Sequence, residues 1–137
     1  MLQSREKKKR RVQFECTGHE LVPTDVTHVN FISSVEELLC YDGGSIFYGC
    51  SQLKEVVLNE GLHKIGKWAF IDCTTLVRIE LPSTLRTIGV SAFNSCESLS
   101  DIVLNEGLVN IEDGAFCGCN SLISISIRYT IHGYSYW

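Results

Sequence analysis

Apolar and polar positions in this chain alternate in short bursts, and from Cys50 onward the bursts return every 23 residues. Cys50-Ser-Gln-Leu53, Cys73-Thr-Thr-Leu76 and Cys96-Glu-Ser-Leu99 open three consecutive copies, and Cys119-Asn-Ser-Leu122 opens a fourth. Each copy then places apolar side chains two apart: Val56 and Leu58, Ile79 and Leu81, Ile102 and Leu104. That is the period of a strand with one face turned inward. Asn59-Glu-Gly61, Pro82-Ser-Thr84 and Asn105-Glu-Gly107 follow with turn chemistry. A second extended piece around Ile65, Ile88 and Ile111 leads to Ala69-Phe70, Ala92-Phe93 and Ala115-Phe116, expected on a single helical or 3₁₀ turn.

A fixed period of this length predicts a solenoid. One copy cannot fold alone, because ordering its backbone costs more than its few buried side chains return. Stacked copies share strand ladders and close each other's apolar interiors. Four segments follow: a disordered basic arm (1–11), a degenerate N-terminal capping repeat (12–49), three full repeats (50–118), and a partial fourth repeat with an aromatic cap (119–137). Within 12–49, Val12-Gln-Phe14-Glu-Cys16 and Val26 to Phe31 read as strands, and Gly43-Gly44 as a turn. Counting back 23 aligns Leu39 with Leu62 and Phe47 with Phe70, but puts Asp42 where Ile65 would be, so the register fails in between. In the fourth copy Ile131 keeps the period and Tyr134 takes the isoleucine position. Tyr129, Tyr134, Tyr136 and Trp137 form the aromatic end.

Cys-x-x-Leu-x-x-Ile/Val-x-Leu, followed by Glu60-Gly-Leu-His-Lys-Ile-Gly-Lys-Trp-Ala-Phe70, resembles the BspA-type leucine-rich repeat, as does Leu81 to Phe93. The resemblance runs from Cys50 to Ile131 and more weakly back to Val26. It implies a right-handed leucine-rich-repeat coil with a parallel β-sheet on the concave side, and short second strands and helical turns on the other. Such repeats occur in bacterial cell-surface adhesins and in expanded protist families, and the resemblance brings no catalytic residues with it. Few repeats and no signal sequence set this chain apart from the adhesins.

Composition adds an asymmetry. Arg5, Lys7, Lys8, Lys9, Arg10 and Arg11 are six of the twelve basic residues, so the rest holds six basic against fifteen acidic groups, a formal −9. Lys7, Lys8, Lys9, Arg10 and Arg11 resemble a nuclear-import or polyanion-binding cluster. An acidic body, however, would repel a duplex and argues against nucleic acid as the main partner. No apolar run approaches the roughly 18 residues of a membrane span. The basic start lacks the apolar segment of a signal peptide, which favours an intracellular location, cytoplasmic or nuclear.

Seven cysteines, four on the repeat, read as packing positions. A column of in-register thiols points its Cβ vectors one way, which suits neither a disulfide nor a tetrahedral zinc site. Cys16, Cys40 and the Cys117-Gly-Cys119 pair lack a base or third ligand, and His19, His28, His63 and His132 share no metal-binding spacing. No phosphate loop or nucleophile elbow appears, so no enzyme, cofactor or small-molecule substrate is expected.

What remains is the outward face of the strands: Glu55, Val57 and Asn59; Arg78, Glu80 and Pro82; Asp101, Val103 and Asn105; Ser124, Ser126 and Arg128. Glu55-Arg78-Asp101 would alternate in sign across neighbouring strands. Val57 and Val103, flanked by charge, would form a docking patch. Glu55, Val57, Arg78, Glu80, Asp101, Val103 and Ser126 are therefore the candidate contacts of a protein-interaction module whose partner the sequence does not name. The alternative is a structural fragment of a longer array that associates with itself through the aromatic end.

Overall fold

The computed structural model describes residues 21–31, 35–40 and 44–127, and the backbone alone at 13–15 and 128. Two parallel sheets run along a solenoid. The long sheet holds β1 (Gln13–Glu15), β2 (His28–Asn30), β4 (Glu55–Val57), β6 (Arg78–Glu80), β8 (Asp101–Asn105) and β10 (Ser126–Arg128), in that spatial order. The short sheet holds β3 (Glu37–Leu38), β5 (Lys64–Ile65), β7 (Thr87–Ile88) and β9 (Asn110–Ile111). Every pairing is parallel, with Val56 beside Ile79, Ile79 beside Ile102 and Ile65 beside Ile88. The expected alternation is therefore real: Val56, Ile79 and Ile102 point inward and are buried, while their strand neighbours face out.

The core is a set of columns, each made by one repeat position. Leu53, Leu76 and Leu99 form one, Leu62 and Leu85 another, and all five are fully enclosed. Phe47, Phe70, Phe93 and Phe116 form an aromatic spine with successive ring centroids 4.6, 5.0 and 5.3 Å apart. Phe31 closes onto its N-terminal end edge-on, at 6.2 Å.

The Ala-Phe corners are not helical; no helix occurs among the described residues. Turn bonds such as Ala69 N–H to Gly66 O (3.3 Å) and Cys73 N–H to Phe70 O (3.2 Å) alternate with bonds to the next coil. In the latter, Trp68, Phe70 and Asp72 donate to Val90, Ala92 and Asn94 (3.1, 2.7 and 2.9 Å). A helix would have to satisfy these groups within its own coil. Here alternate amides are satisfied by the neighbour, at the cost of left-handed backbone at Trp68, Asp72, Ser91 and Ser95 (φ 60°, 58°, 52° and 60°). Gly114 and Gly118 hold the same two positions one coil later without that cost.

The first coil needs a correction. Leu38, not Asp42, lies beside Ile65, and Val29 lies beside Val56. The strands are thus 27 residues apart, while Phe47 keeps its 23-residue offset from Phe70. Four extra residues sit between Leu38 and Phe47. Val35 takes the place aligned with Leu62 and is buried, whereas Leu39 is exposed. The physical reason is that the connecting loop absorbs an insertion, while inward side chains must stay in line with the next coil. Asp42 and Gly43 lie outside the described residues, as do the basic arm, Cys16, His19, His132 and the aromatic end.

Candidate functional site on the long sheet

Between the inward positions, β2, β4, β6 and β8 present one outward column, His28, Glu55, Arg78 and Asp101, each beside the next in register. Arg78 is its hub. Nη2 donates to Glu80 Oε1 at 2.8 Å, two residues along the same strand and hence on the same face, and Nε lies 3.8 Å from Asp101 Oδ2. Glu55, expected to pair with Arg78, instead lies 3.9 Å from His28 Nε2. The histidine had no evident partner in the sequence because its pairing depends on the 27-residue offset of the first coil. The second column passes through Val57 and Glu80, register partners, with Val57 half-buried. Val103 lies beside Ser126.

These strands border a cleft of about 290 Å³ lined by Arg78, Glu80, Asp101 and Val103, and by Leu58, Glu60, Leu81 and Ser83. Four of the seven candidate contacts therefore share one concavity, while Glu55, Val57 and Ser126 lie outside its lining. Glu60 and Ser83 were not legible as site residues, because they belong to turns whose neighbours come from different coils. The Ser83 N–H and hydroxyl donate to the Glu60 carboxylate at 3.0 and 2.8 Å. These two bonds hold the Glu60 carboxyl below its usual range, though it is mostly exposed.

The third outward position departs from expectation. Pro82 is buried, and Asn59 and Asn105 turn inward. Asn59 Nδ2 donates to Val35 O at 3.1 Å and Asn105 Nδ2 to Pro82 O at 2.8 Å, each bonding the preceding coil's backbone. The two asparagines tie turns together, and their Oδ1 atoms are buried without a protein donor.

The cysteine column is a packing column. Cys50, Cys73 and Cys96 are buried, and Cys96 and Cys119 donate to the carbonyls of Phe70 and Phe93 at 3.2 and 3.1 Å. Burial pushes the Cys50 thiol up to about 11 and Cys73 to about 12. Cys117, beside this column in sequence, is exposed. Among the described residues no cluster of three or more His, Cys, Asp or Glu could hold a metal ion, and no helix is long and apolar enough to cross a membrane.

A stack of parallel coils with these columns defines a leucine-rich-repeat solenoid. The family model for the BspA type leucine rich repeat region matches residues 24–136 in six copies, and the chain belongs to that family. Two solved structures show the same fold. A leucine-rich repeat protein from Eubacterium ventriosum is 34% identical with a TM-score of 0.60, the match covering 82% of this chain and 28% of that one. The T. pallidum leucine rich repeat protein is 32% identical with a TM-score of 0.69, the match covering 83% and 51%. This chain thus spans about half of one relative and under a third of the other. No curated protein matches it.

Proposed function

We propose that the chain is a non-enzymatic protein-interaction module whose long sheet receives a segment of a partner protein rich in basic side chains. The observation that carries this reading is the cleft around Arg78. Its single cation is already engaged by Glu80 and Asp101, and Glu60 adds a third carboxylate, so the cleft is net acidic. Half-buried Val103 supplies an apolar contact at its side. A basic side chain entering there meets carboxylates whose geometry is already set by cross-strand pairing, which favours fast, salt-sensitive association. The leucine-rich-repeat scaffold, commonly a protein-interaction scaffold, suits such a face. Reduced, buried thiols suit an intracellular site of action.

Affinity capture from native lysate tests this, comparing the natural chain with a Glu60→Lys, Glu80→Lys, Asp101→Lys variant of unchanged circular dichroism. A partner retained by the natural chain, released by moderate salt and lost by the variant is the expected result. Identical capture by both chains would remove the sheet face from consideration.

A further inference from the structure

The short sheet carries a second cluster of charge, opposite in sign to the Arg78 cleft. Lys64 on β5 and Lys67 on the corner after it are two of the six cations outside the N-terminal arm. With Trp68, Gly66, Leu39 and Gly44 they line a cavity of about 470 Å³. Among the described residues no carboxylate lies within ion-pair distance of either lysine. Glu37, the register partner of Lys64, is exposed and outside the lining. Two unneutralised cations therefore share one concavity in a body of fifteen acidic groups against six basic ones.

Trp68 stands there against its backbone preference. Its φ of 60° is left-handed, a conformation that suits glycine and small polar residues, and the same corner carries Ser91 and Gly114 in the next two coils. Burial does not offset the strain, because the side chain is 44% exposed. Lys67 Nζ sits 4.0 Å from the ring centroid, so an indole face and an ammonium group are presented together. A strained tryptophan left open to solvent is an anchor for a ligand more than a piece of core.

The chain itself shows which anion this corner accepts. One coil on, Val90 holds the place of Lys67, and its N–H donates to the Glu112 carboxylate at 3.0 Å. The Lys67 N–H has no acceptor among the described residues. A carboxylate supplied from outside would complete that donor, with two lysines to balance its charge. Leu39, 38% exposed, and the Trp68 ring add apolar surface beside the cations. An acidic body repels a long polyanion, so the ligand that fits carries one or two carboxylates next to an apolar side chain.

We propose that this cavity binds an acidic peptide segment of a partner protein. One carboxylate meets the Lys67 N–H and the lysine ammonium groups, and a neighbouring aromatic or aliphatic side chain lies against Trp68 and Leu39. The site belongs to the short sheet and shares no lining residue with the Arg78 cleft, so either can fail without the other.

NMR titration of the full, isotope-labelled chain tests this. The probe is a capped tetrapeptide, leucine–glutamate–glutamate–phenylalanine. Its controls are the same peptide with glutamine for both glutamates, and inorganic phosphate. The expected result is a saturable shift of the Lys67 and Trp68 amides and the Trp68 indole with the glutamate peptide alone, weakening as salt is added. A Lys64→Gln, Lys67→Gln chain should bind roughly tenfold more weakly or worse. So should Trp68→Ser, which relieves the corner by placing there the residue type of Ser91. Should the double lysine change unfold the chain, Lys67→Gln alone decides by the same comparison. Equal binding of the glutamine peptide, or equal binding by the lysine-substituted chain, would overturn the proposal. Shifts centred on Arg78 and Asp101 would do the same. So would phosphate moving the Lys67 and Trp68 amides at equal concentration, which would mark a general anion site.

Discussion

The rings of Phe70 and Phe93 lie 5.0 Å apart and within 1° of parallel, although 23 residues of chain separate them. The stacking follows from identical backbone corners one strand spacing apart, since equal rotamers on equal corners must give parallel rings. Phe93 is enclosed by Phe70 before it and Phe116 behind it, so it couples the first coils to the last. Phe93→Ala should cost about 3–5 kcal/mol and Phe93→Leu clearly less, because only the former leaves a large cavity. Urea denaturation followed by circular dichroism measures both; equal losses would mean that the spine is not a packed column.

Gly89 and Gly107 should respond to alanine in opposite ways. A Cβ on Gly89 would lie 2.8 Å from the Gly66 carbonyl carbon and from the Lys67 nitrogen, backbone atoms of the preceding coil that cannot yield without separating the strands. On Gly107 the nearest atoms it would meet belong to the Arg86 guanidinium, the far end of an exposed side chain that can swing away at the expense of its bonds to Ser83 O and Leu85 O. Gly89→Ala should cost about 2 kcal/mol or more and Gly107→Ala less than about 1. Thermal melts of the pair check the contrast.

Thiol reactivity should separate the column from its neighbour. With burial raising their pKa values, Cys50, Cys73 and Cys96 hold almost no thiolate at mildly alkaline pH and are shielded from reagent. Cys117 is exposed and should be alkylated first, with the three column thiols following only in denaturant. Peptide mapping after iodoacetamide treatment reads the order directly. Early modification of Cys73 would contradict the packing.

Stability should fall in acid partly through Glu60. Its folded pKa is depressed from the ordinary 4.5 by the two Ser83 bonds, so the folded state binds this proton less readily than the unfolded chain. The stabilisation is fully present above the ordinary value and disappears as pH falls through the lower folded one. Solvent around the exposed carboxylate keeps it small. Melting temperatures of the natural chain and Glu60→Gln should therefore differ slightly near neutrality and converge below the folded value. A gap that widened in acid would reverse the assigned sign.

The sequence by itself determined the architecture. A 23-residue period, with apolar residues two apart at Val56 and Leu58 and again at Ile79 and Leu81, leaves a chain this length one economical way to bury them, as stacked parallel strands. The outward columns through Glu55, Arg78 and Asp101 were legible for the same reason, since side chains alternate strictly along a strand. What the tertiary structure decided is everything that depends on a neighbour's register. Only cross-coil pairing shows that Leu38, not Asp42, meets Ile65, and that Arg78 turns to Glu80 and Asp101 while Glu55 faces His28. Asn59 and Asn105 look like turn residues open to solvent, yet their amides are spent on the coil before them. Ile88 and Ile111 are the same residue at the same point of the repeat, yet among the described residues Ile88 has a strand on each side and is enclosed, whereas Ile111 has one and is exposed. Local pattern dictates which way a side chain points; whether anything meets it there is a property of the assembled stack.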